Sequence, residues 1–284
     1  MKLHYFKGFK NFGDELNPWL WQQLLPGVFD EDESTIFVGI GTLLNTSLPK
    51  ANKTIVFGAG VGYCSGPPKV NDSWKIYCVR GPLSAKVLGI SEQLALTDGA
   101  ILLRRLFKST GKKLHRFAYM PHASHANYSN QSWQLICKRL GFGYIDPRSS
   151  IEKVLTAISE TEILLTEAMH GAIVADALRV PWIPIRTTPE ILAFKWQDWC
   201  ASMNLEYQPK YLLPVWDISN KTNKAGVVRY GIKKQLSTIH LTIIANTSQP
   251  LLSNDAHLEK LTVAMEENLE KFKYDLAKGL FQPN

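Results

Sequence analysis

Short apolar runs alternate with helix-spaced patterns from the first residues of the chain. LHYF (3–6) has the pattern of a strand, and NFGDELNPWLWQQLL (11–25) that of a turn opening a helix, with Pro18 expected in its first turn. TIFVGIGTLL (35–44) and TIVFGAGVGY (54–63) are continuous apolar runs that end in glycines, as buried strands do. KIYCVR (75–80) predicts a further strand. GPLSAKVLG (81–89) predicts a helix with Pro82 near its start and Gly89 as its stop, and LALTDGAILL (94–103) closes this half. The polar, basic FKSTGKK (107–113) has the composition of a linker. The rhythm then restarts: a strand at 115–122, a helix at 130–141, a strand at 142–147 and a helix at 149–162 capped by Ser149 or Ser150. A strand–loop–helix–strand unit follows at 163–186.

Strands alternating with helices imply parallel βαβ units, so the expected class is α/β. Two such series predict two Rossmann-like domains facing across a cleft, residues 1–110 and residues 111–284, with ligands beyond the carboxyl ends of the strands. A C-terminal helical extension is expected from 255–278. There Leu258, Leu261, Met265, Leu269, Phe272, Leu276 and Leu280 recur every three or four residues, and this helix is a candidate to pack back on the N-terminal domain. In 221–244, Val228, Ile232, Gln235, Leu236, Ile239 and Ile243 share one face, with Arg229, Lys233 and Lys234 off it. Two readings stay open for it: a packed helix with a solvated cationic side, or a basic amphipathic helix at the surface of an anionic membrane.

Composition narrows the classes. Of 284 residues, 45% are hydrophobic and 20% charged, which excludes disorder and coiled coil. The 32 basic against 25 acidic residues leave a formal charge of +7 and favour anionic partners. Nucleic acid is not among those expected: the basic residues are dispersed and form no recognised binding motif. No run approaches the about 18 apolar residues of a membrane span, and the start MKLHYFKGFKNFGDE has no secretory apolar core, so a cytoplasmic protein is expected. Cys64, Cys78, Cys137 and Cys200 are widely spaced and predict reduced thiols rather than a zinc site.

Several constellations carry candidate chemistry. Asn11-Phe12-Gly13-Asp14 places a turn-making glycine and exposed amides at a helix start, where Asp14 serves either as a cap or as a base toward a hydroxyl. Gly58-Ala59-Gly60-Val61-Gly62 departs from the dinucleotide fingerprint, and no acidic residue stands at the required distance, so NAD is rejected. Arg80, ending a strand before Gly81-Pro82, is expected to project toward the cleft edge, with geometry suited to phosphate or carboxylate. His122 and His125 in MPHASH are three apart, but no third metal ligand is near. In Thr166-Glu167-Ala168-Met169-His170-Gly171 a histidine sits between a buried strand and a helix of small residues. The helix dipole disfavours its charged form there unless an anion or a carboxylate such as Glu167 offsets it.

Taken in order, N-x-G-D-x-L, R-G-P-L-S, M-H-G-A-I-V-A-D-A-L and V-P-W-I-P-I resemble the polysaccharide pyruvyl transferase family, in the manner of the ketal-pyruvate transferases of bacterial exopolysaccharide assembly. The resemblance covers residues 1–200. It implies a two-domain fold similar to the GT-B glycosyltransferases, phosphoenolpyruvate as donor, no cofactor or metal, and two hexose hydroxyls of an oligosaccharide acceptor, lipid-linked or free. It also implies His170 as general acid. The family pattern has an arginine two positions earlier, where this chain has Ala168; Arg80, His122, His125 and Arg186 are the candidate substitutes. Asp14 is assigned as base or acceptor-hydroxyl ligand, and Asn11, Gly13 and Glu167 join the substrate-binding set. The competing expectations are a GT-B glycosyltransferase using a nucleotide sugar and a non-catalytic sugar-binding assembly protein.

Overall fold

A computed structural model describes residues 1–62, 66–217 and 224–281. The first half contains β1 (Lys2–His4), α1 (Phe12–Leu24), β2 (Thr35–Val38), β3 (Lys53–Phe57), β4 (Trp74–Cys78) and α2 (Pro82–Leu88), followed by 3₁₀ turns at Glu92–Leu94 and Gly99–Arg105. Its four strands are parallel in the order β1-β2-β3-β4. After the connection at 107–114 come β5 (His115–Met120), α3 (Ala123–Leu140), β6 (Gly143–Tyr144), α4 (Ile151–Ser159), β7 (Thr161–Thr166), α5 (Met169–Ala177), β8 (Trp182–Arg186), α6 (Ala193–Ser202) and β9 (Lys210–Tyr211). This second sheet is also parallel, in the order β6-β5-β7-β8-β9. Two parallel sheets with flanking helices make the chain α/β and are consistent with two Rossmann-like units.

The order of the second sheet has a consequence for function. Its connections reverse direction between β5 and β7, which opens a crevice beyond the carboxyl ends of those two strands. His122 follows β5 and His170 follows β7.

Burial explains the strands. All four residues of β2 are buried, so both faces of the sheet are covered and the sequence is continuously apolar rather than alternating. Trp21 of α1 meets the rings of Phe37 and Phe57 edge-on at 4.9 and 5.2 Å. From the far end of the chain, α8 (Asp255–Ala277) returns to this sheet and presents Phe272 to Phe37 and Tyr77. One continuous buried cluster runs from Leu3 and Phe12 through Met120, Met169 and Ile173 to Trp182 and Trp199, so the two halves share a core.

Three local expectations are corrected, and of the two readings left open for 221–244 the packed apolar face is not observed. Pro18 lies inside α1, not in its first turn. The bond a proline cannot donate would have gone to the Asp14 carbonyl, which instead accepts from the Asn17 side chain at 3.2 Å. The helix expected at 130–141 begins at Ala123, because the His122 side chain caps it by accepting from the Ser124 amide. The strand runs expected at 35–44 and 54–63 stop at Val38 and Phe57, before the glycine-bearing segments; Tyr63 and Cys64 lie outside the described residues. Finally, α7 (Lys224–Thr247) turns its apolar face outward: Val228, Ile232, Leu236, Ile239 and Ile243 are exposed, and Ser237, Thr238, Leu241, Ile244 and Ala245 are buried.

Candidate active site

A cavity of about 640 Å³ opens where the carboxyl ends of β1, β2, β5 and β7 meet. The first half supplies the 4–14 segment, with Asn11 and Asp14, and the loop after β2, with Thr42, Asn45 and Ser47. The second half supplies His122, Met169, His170 and Lys195.

Asn11 is the N-cap of α1. Its Oδ1 accepts from the Gly13 amide at 3.3 Å, and its Nδ2 donates to Asp14 Oδ2 at 2.6 Å. The amide of Phe12 donates to the Pro147 carbonyl of the second half at 2.8 Å, which pins the start of α1 across the molecular midline. Gly13 is required for a steric reason: a Cβ there would collide with the His170 imidazole. Burial pushes the Asp14 carboxyl above the usual range, against the opposing pull of His170, the Asn11 amide and Lys195.

His170 stands in the first turn of α5, reaches across to the first half and packs on Gly13. Its Nε2 lies 3.7 Å from Asp98 Oδ2. Both atoms are buried and neither has a hydrogen-bond partner. Asp98 is fully buried, and its other oxygen caps the 3₁₀ turn by accepting from the Ala100 amide at 3.0 Å. The Asp98 carboxylate oxygen and the imidazole Nε2 thus face each other without another partner, and Gly13 packs against the Nδ1 side of the ring.

Two residues of this site escape sequence reasoning. Asp98 sits in T-D-G, which has the look of an ordinary turn, and the carboxylate meets its histidine 72 positions away only through the fold. Lys195 lies in AFKWQDWC, a stretch without a motif, yet α6 buries it at the cavity wall near Asp14 and His122.

The other candidates are distributed differently. His122 lines the cavity, but burial, then nearby Lys195 and His125, push its ring down to about 3, so it is neutral and brings no positive charge to an anion. Glu167 is fully buried and accepts from the amides of His122 and Thr187 at 3.1 and 2.9 Å, with His125 Nδ1 at 3.1 Å. Burial alone would raise its pKa, but these donors outweigh burial and hold the carboxylate below its usual range. It knots the loops after β5, β7 and β8 together and does not line the cavity. His125 is part of that knot, with Trp216 edge-on at 5.7 Å. Arg186 donates to the carbonyls of Thr188 and Pro189 and shapes the loop after β8.

Arg80 is not at the cleft edge. It is completely buried, with its Nε 3.0 Å from Asp198 Oδ2 and its terminal nitrogens donating to Thr42 Oγ1 and the Val61 carbonyl. Gly60 leaves room for the guanidinium. Arg80 therefore backs the cavity wall through Thr42 and ties the first half to α6.

The sequence profile of the polysaccharide pyruvyl transferase family matches residues 11–189. The chain is 40% identical over 214 residues to the succinoglycan biosynthesis protein ExoV of Rhizobium meliloti (strain 1021), an alignment that covers 74% of this chain and 67% of that protein. The matched span begins at the Asn11 cap and includes Asp14, Asp98, His122 and His170. The chain belongs to the polysaccharide pyruvyl transferase family and is a pyruvyltransferase.

Proposed function

We propose that the protein transfers pyruvate from phosphoenolpyruvate to two hydroxyls of a hexose in a bacterial polysaccharide repeat unit, forming a cyclic ketal, with His170 as general acid. The observation that carries this reading is the His170 imidazole held between Gly13 and the orphaned Asp98 carboxylate at the cavity wall. Protonation of the methylene carbon by the imidazolium gives the adjacent carbon oxocarbenium character. A sugar hydroxyl attacks that carbon and yields its proton to a base. The C–O bond to phosphate breaks, and the second hydroxyl closes the ring as its proton passes to the departing phosphate. The base is Asp14, a reading supported by its lining of the cavity and by its raised pKa, which makes it a stronger base than an ordinary carboxylate.

Lys195 fills the role of the arginine missing at Ala168: it is the cavity-lining cation on the donor side, suited to phosphate or carboxylate. The acceptor faces the first half, residues 1–110, and the donor the second half, residues 111–284, in a GT-B-like arrangement. Supporting this division, Tyr5, Phe6 and Phe9 form an aromatic rim with Asn45 and Ser47 behind it, the mixture of ring faces and hydrogen-bonding groups that pyranose rings favour. The scheme needs no cofactor or metal.

Thermal stability measured with phosphoenolpyruvate and with a panel of nucleotide sugars tests the donor assignment. Phosphoenolpyruvate is expected to raise the Tm, and Lys195→Ala to lose most of that rise. Selective stabilisation by a nucleotide sugar would overturn the assignment.

A further inference from the structure

Helix α7 inverts the usual pattern of a surface helix. Its inner face carries Ser237 and Thr238, whose hydroxyls donate back to the Lys233 and Lys234 carbonyls at 2.9 and 2.8 Å. Its outer face carries Val228, Ile232, Leu236, Ile239 and Ile243, each between 47% and 62% exposed. These five recur at intervals of four, four, three and four residues and form one stripe along a helix of about 36 Å. A contiguous apolar stripe is not an ordinary feature of a surface that meets only water.

The charge of the helix says what covers the stripe. Residues 224–247 include Lys224, Arg229, Lys233 and Lys234 and not one Asp or Glu. Lys224 and Arg229 are exposed. Pairing with a second copy of this chain would bring cations against cations with no acid between them. A protein partner would need an anchoring pocket or an aromatic centre, and the stripe is a single convex row of aliphatic side chains. A lipid surface asks only for shallow apolar insertion and a cationic rim.

We infer that the outer face of α7 docks the protein on an anionic lipid bilayer. The helix lies in the interface, with the aliphatic stripe in the acyl boundary and Lys224, Arg229 and Lys233 among the headgroups, while Lys234 sits over the Tyr230 ring on the inner side. It does not cross the bilayer: among the described residues no helix is long and apolar enough to do so. The orientation ties this surface to the cavity. α7 runs alongside α3 in the same sense, with Tyr230 Oη 3.0 Å from Ser132 Oγ and Arg139 donating to Gln235 at 2.9 Å. Because α3 starts at cavity-lining His122, the cationic first turns of α7 lie toward the cavity end of the molecule.

The test is co-sedimentation of the full chain with vesicles, without donor or acceptor, so that its outcome is independent of the reaction proposed above. Vesicles of phosphatidylcholine alone are compared with vesicles also containing phosphatidylglycerol. Binding to the anionic vesicles is expected to be at least about tenfold tighter and to weaken as salt is raised. Ile232→Glu with Ile239→Glu, and separately Lys224→Glu with Arg229→Glu and Lys233→Glu, should each remove that binding at least about tenfold, with Tm unchanged because every altered side chain lies off the core. The proposal is overturned by absence of binding to anionic vesicles, by equal binding to both kinds, or by parental binding in both variants. It is equally overturned by light scattering that shows a dimer which Ile232→Glu dissociates.

Discussion

At the residue scale the site turns on how His170 is held. Asp98 spends one oxygen on the Ala100 amide and leaves the other facing the imidazole. Asp98→Asn keeps the shape and the cap but removes the charge that faces Nε2, and its amide nitrogen can turn a donor toward that nitrogen. Steady-state kinetics should show kcat down by about 10²–10⁴, with the KM for donor and the Tm little changed. Asp14 gives a pH signature. A base acts ionised, so kcat/KM should fall as pH drops through the folded pKa of Asp14, at higher pH than a carboxylate near about 3.9 would impose. Asp14→Asn should remove that limb and lower the plateau. The same shift fixes a sign for stability. A pKa raised on folding gives stability that is full below the unfolded value and lost as pH rises through the folded one, so ionised Asp14 weakens the fold at neutral pH. Asp14→Asn should therefore raise the Tm at pH 7 while reducing activity.

At the element scale, α6 joins the halves. Its Asp198 accepts from Arg80 Nε and from the Ser84 amide at the start of α2, all fully buried. Asp198→Ala would strand a buried guanidinium and uncap α2, and urea denaturation should show a loss of about 3–5 kcal/mol. Arg80 also shows where sequence reading stops. Its position at the end of a strand was legible, but its partner lies 118 residues on in α6, and no local pattern distinguishes a guanidinium facing a ligand from one facing an aspartate. Elements with one apolar face were legible for a physical reason: α8 buries Leu258, Leu261, Met265, Leu269 and Phe272, residues marked by spacing alone. In α7 the same spacing identified the right residues on one face and left open whether that face is packed or points outward. Periodicity reports that a face exists and not what covers it. The start of α3 was hidden because histidine is an uncommon cap. Within the site, His170, Asp14, Asn11 and Gly13 sit in compact motifs, whereas Asp98 reaches His170, and Lys195 the cavity, only through tertiary packing.

At the scale of the whole molecule, the two sheets turn their strand ends toward one cavity, and the +7 charge is unevenly used. Lys195 faces the cavity, Arg80 is consumed internally, and α7 displays cations with no acid of its own. A protein docked through α7 would hold its cleft beside the lipid surface, where a lipid-linked saccharide would be met. The most direct test of the account is mass spectrometry of a saccharide acceptor taken from a polysaccharide made without this protein and incubated with phosphoenolpyruvate and the purified chain. The expected result is a gain of one pyruvate less one water per modified unit, matched by one phosphate released, and neither in a folded His170→Ala variant. An unmodified acceptor with the parent protein, or near-parental turnover in His170→Ala, would contradict it.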